Sequence, residues 1–183
     1  MSHFILGLTG SNAAGKGTVS KYLVSQGYDY ISLSDELRQE AFEQKLEASR
    51  ENLTKLGKEL RSVLGPGFLA KRLLQKITVQ KNTVVDSIRH PKEVEILATL
   101  PSFHLLGVDA DVELRFERAL RRGRNESAKT LEEFKAQEAK ENQSAQNSQQ
   151  LQKTLALSHH VFLNNKTPED LIAQVQQYLD TLS

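Results

Sequence analysis

Near its start the chain carries Gly10-Ser11-Asn12-Ala13-Ala14-Gly15-Lys16-Gly17-Thr18, set between the apolar run Phe4 to Leu8 and a helical pattern. The spacing is G-x-x-x-x-G-K-G-T, and it restricts the fold more than any other stretch. A strand must deliver the loop and a helix N-terminus must receive it, so that backbone N–H groups converge on an anion. Glycines 10, 15 and 17 are expected to let the backbone reach positive φ and approach phosphates without a Cβ in the way. Lys16 supplies a point charge for β and γ oxygens, and Thr18 a hydroxyl for Mg²⁺, a cation that prefers hard oxygen ligands. All nine residues, Gly10 through Thr18, form the candidate ATP-binding loop. The plainer reading, a helix start rich in small residues, explains neither the lysine nor its spacing from both glycines.

At 183 residues the chain has the length of one domain, or of one domain with a small insertion. A net charge of +1 argues against general nucleic-acid or membrane-surface binding, which would call for a strong basic excess. The absence of cysteine excludes disulfides and thiolate chemistry. Phe4-Ile5-Leu6 is too short for the apolar part of a signal peptide, and no stretch approaches the ~20 apolar residues of a membrane span. The expectation is a soluble, cytoplasmic protein, monomeric or a small homo-oligomer.

Four further apolar runs, Tyr28 to Leu33, Thr83 to Ile88, Phe103 to Val108 and His160 to Leu163, alternate with helical patterns. Parallel strands need crossovers, which are normally helical, so the pattern predicts an α/β fold: a five-stranded parallel sheet with helices on both faces. The expected core is 1–33, 82–120 and 154–183. A helical insert over 34–81, broken at Gly65-Pro66-Gly67, forms a flap, and 121–153 forms a lid.

Ligands in such sheets bind at the carboxyl ends of strands, where further candidates stand. After the second strand, Ser34 is suited to N-cap a helix whose first turn holds Asp35 and Arg38. Two readings fit these residues: an exposed i,i+3 ion pair, or an Arg38 fork that holds a substrate phosphate or carboxylate. After the third strand, Asp86 suits either a turn or the hydration shell of Mg²⁺, and Arg89 stands three residues on. Arg50, Lys58 and Arg61, in the flap, read as exposed residues of helices, the alternative being further substrate contacts.

Arg118, Arg121, Arg122 and Arg124 crowd seven positions, the densest positive charge in the chain. The run suits stabilisation of a transferring phosphoryl group, the alternative being a solvated helix end. Glu126 to Lys153 is polar and reads as an exposed lid arm. Asn165, in the turn Asn164-Asn165-Lys166-Thr167-Pro168, fits either a backbone contact to a purine ring or an ordinary turn before a helix. That turn lacks the aspartate of a guanine-recognition motif. His159 and His160 have no spaced partners for a metal.

The order G-x-x-x-x-G-K-G-T, Ile-Ser-x-x-Asp-x-Leu-Arg, Val-Asp-x-x-Arg and an arginine-rich helix resembles the nucleoside monophosphate kinases of the adenylate kinase type. It also resembles the small P-loop kinase domains carried by some deaminase-related nucleotide enzymes. The stretch His160 to Asn165 before a helix is more similar to dephospho-coenzyme A kinase. The resemblance implies Lys16 as the phosphate-bridging lysine, Thr18 as Mg²⁺ ligand and Asp86 as a carboxylate acting on the metal through water. It implies Arg38 and Arg89 at an acceptor phosphate, and Arg118 and Arg122 at the adenine and the transferring phosphoryl group. Asn12-Ala13 replaces the usual Pro-Gly, and the family's long lid insertion is missing. The expected activity is γ-phosphoryl transfer from ATP-Mg to a nucleoside or deoxynucleoside monophosphate. The alternatives are transfer to a hydroxyl with Asp35 as base, and nucleotide binding without transfer.

Overall fold

The computed structural model describes residues 3–123, 128–142 and 149–182. Among them run β1 (Ile5–Gly10), α1 (Lys16–Ser25), β2 (Asp29–Ser32), α2 (Leu33–Glu43), α3 (Arg50–Leu64), α4 (Phe68–Leu74) and β3 (Thr83–Asp86). Then follow α5 (Pro91–Leu97), β4 (Phe103–Asp109), α6 (Val112–Arg122), α7 (Leu131–Glu141), α8 (Leu151–Leu155), β5 (His160–Leu163) and α9 (Pro168–Asp180). The five strands form one parallel sheet in the order β2-β3-β1-β4-β5. The α/β class and the parallel sheet predicted from the apolar runs are therefore observed.

Alternation along the strands builds the two faces. Ile5, Val85, Phe103 and Leu105 point to one side, where Phe68, Leu69 and Leu73 of α4 and Val94 and Leu97 of α5 cover them. Leu6, Leu8, Val84, Leu106 and Val108 point to the other, where Val19 and Leu23 of α1 and Leu171 and Val175 of α9 close the core. Buried on both faces, the strands must be apolar throughout, which is why they read as continuous runs. β1 is central and buried from end to end, so the loop that follows it hangs from the middle of the core.

Two local expectations need correction. The second strand ends at Ser32, whose side chain accepts from the Ser34 N–H, so Ser32 and not Ser34 caps α2. The polar arm after α6 is also more than an exposed extension. Phe134 of α7 is 1 % exposed and packs with Ala119, Ala128, Phe116 and Ala13, so α7 folds back onto α6 and the glycine loop. Burying one phenylalanine there supplies roughly 2–3 kcal/mol, enough to hold an otherwise polar helix in place.

Candidate functional site

Gly10 and Gly15 have φ of +141° and +117°, and Ala13 between them has +57°. A Cβ on Gly10 would lie 2.0 Å from the carbonyl oxygen of Val108 in the neighbouring strand. One on Gly15 would lie 2.3 Å from the Asn164 amide nitrogen. Both positions therefore require glycine twice over, by conformation and by space. Gly17 differs from expectation: it lies in α1 without a positive φ, and a Cβ there meets nothing within 4 Å. Its smallness answers to no neighbour among the described residues.

The N-cap of α1 is Gly15, which has no side chain to satisfy the first N–H groups of the helix. Those donors and the positive end of the helix dipole face the loop, the arrangement that receives an anion. Lys16 folds back so that its ammonium donates to the carbonyls of Gly10 at 2.6 Å and Ser11 at 2.9 Å. Its pKa is lowered to about 8, first by burial, then by the Arg89 guanidinium, with Arg122 and Arg115 adding to the fall and Asp86 opposing it. The shift shows which charges share this space: Arg89 from the loop after β3, and two arginines from α6.

Arg115, Arg118 and Arg122 lie at i, i+3 and i+7 on α6, one face of the helix. Arg122 donates to the Asn12 side-chain oxygen at 3.2 Å, and Arg118 to the Asn164 carbonyl at 2.9 Å. A second nitrogen of Arg118, Nη1, is buried without a hydrogen-bond partner among the described residues. Arg115, which sequence reasoning passed over, is 7 % exposed. It donates to the Ala110 and Asn12 carbonyls and pairs with Glu138 of α7 and Asp109. The helical spacing was the signal that could have found it. Arg121 faces away and pairs with Glu117 at 3.3 Å, both exposed. Arg124 lies outside the described residues.

On the other side of β1, Asp86 ends β3 and is 9 % exposed. One of its oxygens accepts from the Ser87 N–H at 2.6 Å and the other from the Tyr30 hydroxyl at 3.1 Å. Burial and the Asp86 charge push the Tyr30 hydroxyl up to about 12, so it stays a donor. Ser87 has φ +67°, a left-handed conformation that costs a non-glycine residue about 1–2 kcal/mol and turns the chain sharply after Asp86. Thr18, in the first turn of α1, and Asp86 are hard oxygen donors of the kind Mg²⁺ prefers.

Asp35 and Arg38 pair with each other at 2.5 Å, with side chains 57 % and 49 % exposed. Asn165 turns its side-chain oxygen to the Asp111 N–H at 2.9 Å. Its neighbour Asn164 is the buried one, donating to the Ala14 carbonyl at 2.8 Å and so tying the last strand to the glycine loop. Arg61, expected to be exposed, is 5 % exposed and faces the buried Glu93. Among the described residues no cluster of His, Asp and Glu is arranged to hold a metal alone, and no helix is long and apolar enough to cross a membrane.

Comparisons with known proteins agree with this architecture. A family model described as an AAA domain matches residues 9–135. The UPF0200 protein of Pyrococcus abyssi is 33% identical over 144 residues, covering 75% of this chain and 77% of its own. Among solved structures, TT1252 from Thermus thermophilus aligns over 100% of both chains with a TM-score of 0.64 at 23% identity. The shikimate kinase of Aquifex aeolicus aligns over 97% of both chains with a TM-score of 0.58 at 17% identity. The matched region runs from the end of β1 through the glycine loop, the strand ends and the arginine face of α6, and has the P-loop kinase-like, nucleotide-binding fold. On this evidence the chain belongs to the AAA domain family by residues 9–135, and to the UPF0200 proteins.

Proposed function

We propose that the protein transfers the γ-phosphoryl group of ATP-Mg to a small phosphorylated acceptor, a nucleoside or deoxynucleoside monophosphate. The observation that carries the reading is the charge around Lys16. Arg122 and Arg115 of α6 both donate to Asn12 of the glycine loop, and the Lys16 ammonium sits on the Gly10 and Ser11 carbonyls, while Arg89 follows Asp86 at the end of the adjacent strand β3 and adds its charge to the same ammonium. Cations on two sides of one phosphate loop suit two anions brought end to end, as phosphoryl transfer between phosphates requires.

In this scheme the open N–H groups of α1 and Lys16 hold the β and γ phosphates, and Arg89, with Arg38 as a further contact, holds the acceptor phosphate. An acceptor phosphate oxygen attacks the γ phosphorus while the bond to the β–γ bridging oxygen breaks, leaving ADP. The attacking oxygen is already anionic, so no general base is needed. Arg122 and the Nη1 of Arg118, buried without a hydrogen-bond partner among the described residues, donate to the charge that spreads over the transferring group. Thr18 and Asp86, the latter through water, would hold Mg²⁺, which would offset the negative charge of the phosphates.

A second reading is transfer to a hydroxyl, with Asp35 as base. The names of the shikimate kinases that share the fold prompt it, and in the structure Asp35 is paired with Arg38. The test is a coupled assay of ADP release with ATP-Mg against nucleoside monophosphates, deoxynucleotides, dephospho-coenzyme A and shikimate. Turnover with a monophosphate is expected, and Lys16→Ala should reduce it by about a hundredfold or more while the melting temperature holds. Transfer only to a hydroxyl, transfer to none of the panel, or an unimpaired Lys16→Ala would each overturn the proposal.

A further inference from the structure

Glu93 occupies the third position of α5 and completes a capping box with His90: the His90 side chain accepts from the Lys92 N–H at 3.0 Å. One Glu93 oxygen accepts from the backbone N–H groups of Arg89 at 2.8 Å and His90 at 3.1 Å. A glutamine would satisfy those two donors as well, and without the cost of burying a charge. Glu93 is nevertheless 1 % exposed, and burial pushes its carboxyl up, opposed first by Arg61.

The other Glu93 oxygen faces Arg61 Nη2 of α3 at 3.8 Å. That distance is an attraction not yet closed to a hydrogen bond. The Nε of Arg61 is buried without a hydrogen-bond partner among the described residues. Room for the guanidinium is reserved within α3: a Cβ on Gly57 would come within 3.2 Å of Arg61 Nη1. A glycine inside a helix is unfavourable, and this clearance gives it a reason. Arg89 is held from the opposite side too, its carbonyl accepting from the Gln150 N–H at 3.0 Å. Residue 89 is thus pinned through Glu93 to the helical insert and through Gln150 to the segment that precedes α8.

We infer that Arg61 is a positioning residue for Arg89: through the buried Glu93 carboxylate it fixes the backbone from which the Arg89 guanidinium reaches the second anion. The inference rests on the reading that Arg89 meets the acceptor phosphate. Arg61→Met should raise the KM for the acceptor about ten- to a hundredfold while leaving the Kd for ATP within about twofold. Glu93→Gln, which keeps an oxygen for both N–H groups, should do the same. Either single variant leaves one charge buried alone and should lose stability for that reason, so the double variant Arg61→Met/Glu93→Gln is decisive. Removing both charges should restore the melting temperature, yet the acceptor KM should stay raised. A double variant that recovers both, or an Arg61→Met with unchanged KM, overturns the inference. If the wild-type protein transfers to no acceptor, the proposed function fails separately. The positioning role is then read from the affinity of inorganic phosphate for the protein saturated with Mg²⁺ and β,γ-imido-ATP. Weaker binding in the double variant supports it; equal binding, or none to the wild type, overturns it.

Discussion

The loops after β1 and after β3 flank the same space, and they are built in opposite ways. Between β1 and α1 the backbone is the instrument: glycines turn it inward and the first helical N–H groups are left without a side-chain cap. Between β3 and α5 the backbone is closed to ligands. Ser87 donates to Asp86, Ile88 to the Leu8 carbonyl, Arg89 and His90 to Glu93, and Lys92 to His90. That loop offers only side chains, Asp86 and Arg89, on a frame fixed by its own hydrogen bonds. A backbone reader is generic, because every residue carries the same N–H. A side-chain reader can be retuned by one substitution.

The largest effect expected from this contrast is at Gly10. Gly10→Ala sets a Cβ 2.0 Å from the Val108 oxygen at φ +141° and should destabilise the fold by more than about 3 kcal/mol in urea unfolding. A variant of near-normal stability would mean that the loop is not held by its backbone as described. Next comes the pH dependence of polyphosphate binding. The Lys16 pKa is lowered to about 8, and a bound anion favours its charged form, so the bound value is higher. Below pH 8 the lysine is already protonated in the free protein and contributes no slope. Above it, binding must take up a proton, and affinity should fall by up to about tenfold per pH unit. Titration calorimetry of ATP in two buffers of different ionisation enthalpy would show the uptake, and Lys16→Met should abolish it. Flat affinity from about pH 8 to 9.5 would refute the shifted lysine.

The smallest effect is in the second loop. Ser87→Gly relieves the left-handed strain at φ +67° and should raise stability by about 0.5–1 kcal/mol, with ATP affinity unchanged. A loss of stability would show that the Ser87 side chain carries a contact of its own, and that the loop is not only a frame for its neighbours.

This difference also sets what could be read from the chain alone. The sheet and the glycine loop were legible because their signals are local: apolar runs buried on both faces, and glycines at spacings that only a tight turn explains. The side-chain frame was not. Arg61 reads as exposed because a long basic residue on a polar helix usually is, and only the fold brings Glu93 of another helix against it. Asn164 and Asn165 are indistinguishable by type, and the twist of the turn decides which one faces the loop and which one caps Asp111. Arg115 was hidden by the denser run that follows it, though its helical phase matches Arg118 and Arg122.

The Asn164 amide carries one more consequence. It braces the Ala14 carbonyl from the end of the last strand, well beyond residue 135, where the family match stops. A fragment cut at that boundary would keep every glycine and Lys16 yet lose the brace and the edge strand behind it. During synthesis, too, the residues that shape the loop emerge first and wait, and its final anchor arrives only when β5 has left the ribosome. The final shape of the glycine loop is thereby tied to the synthesis of β5.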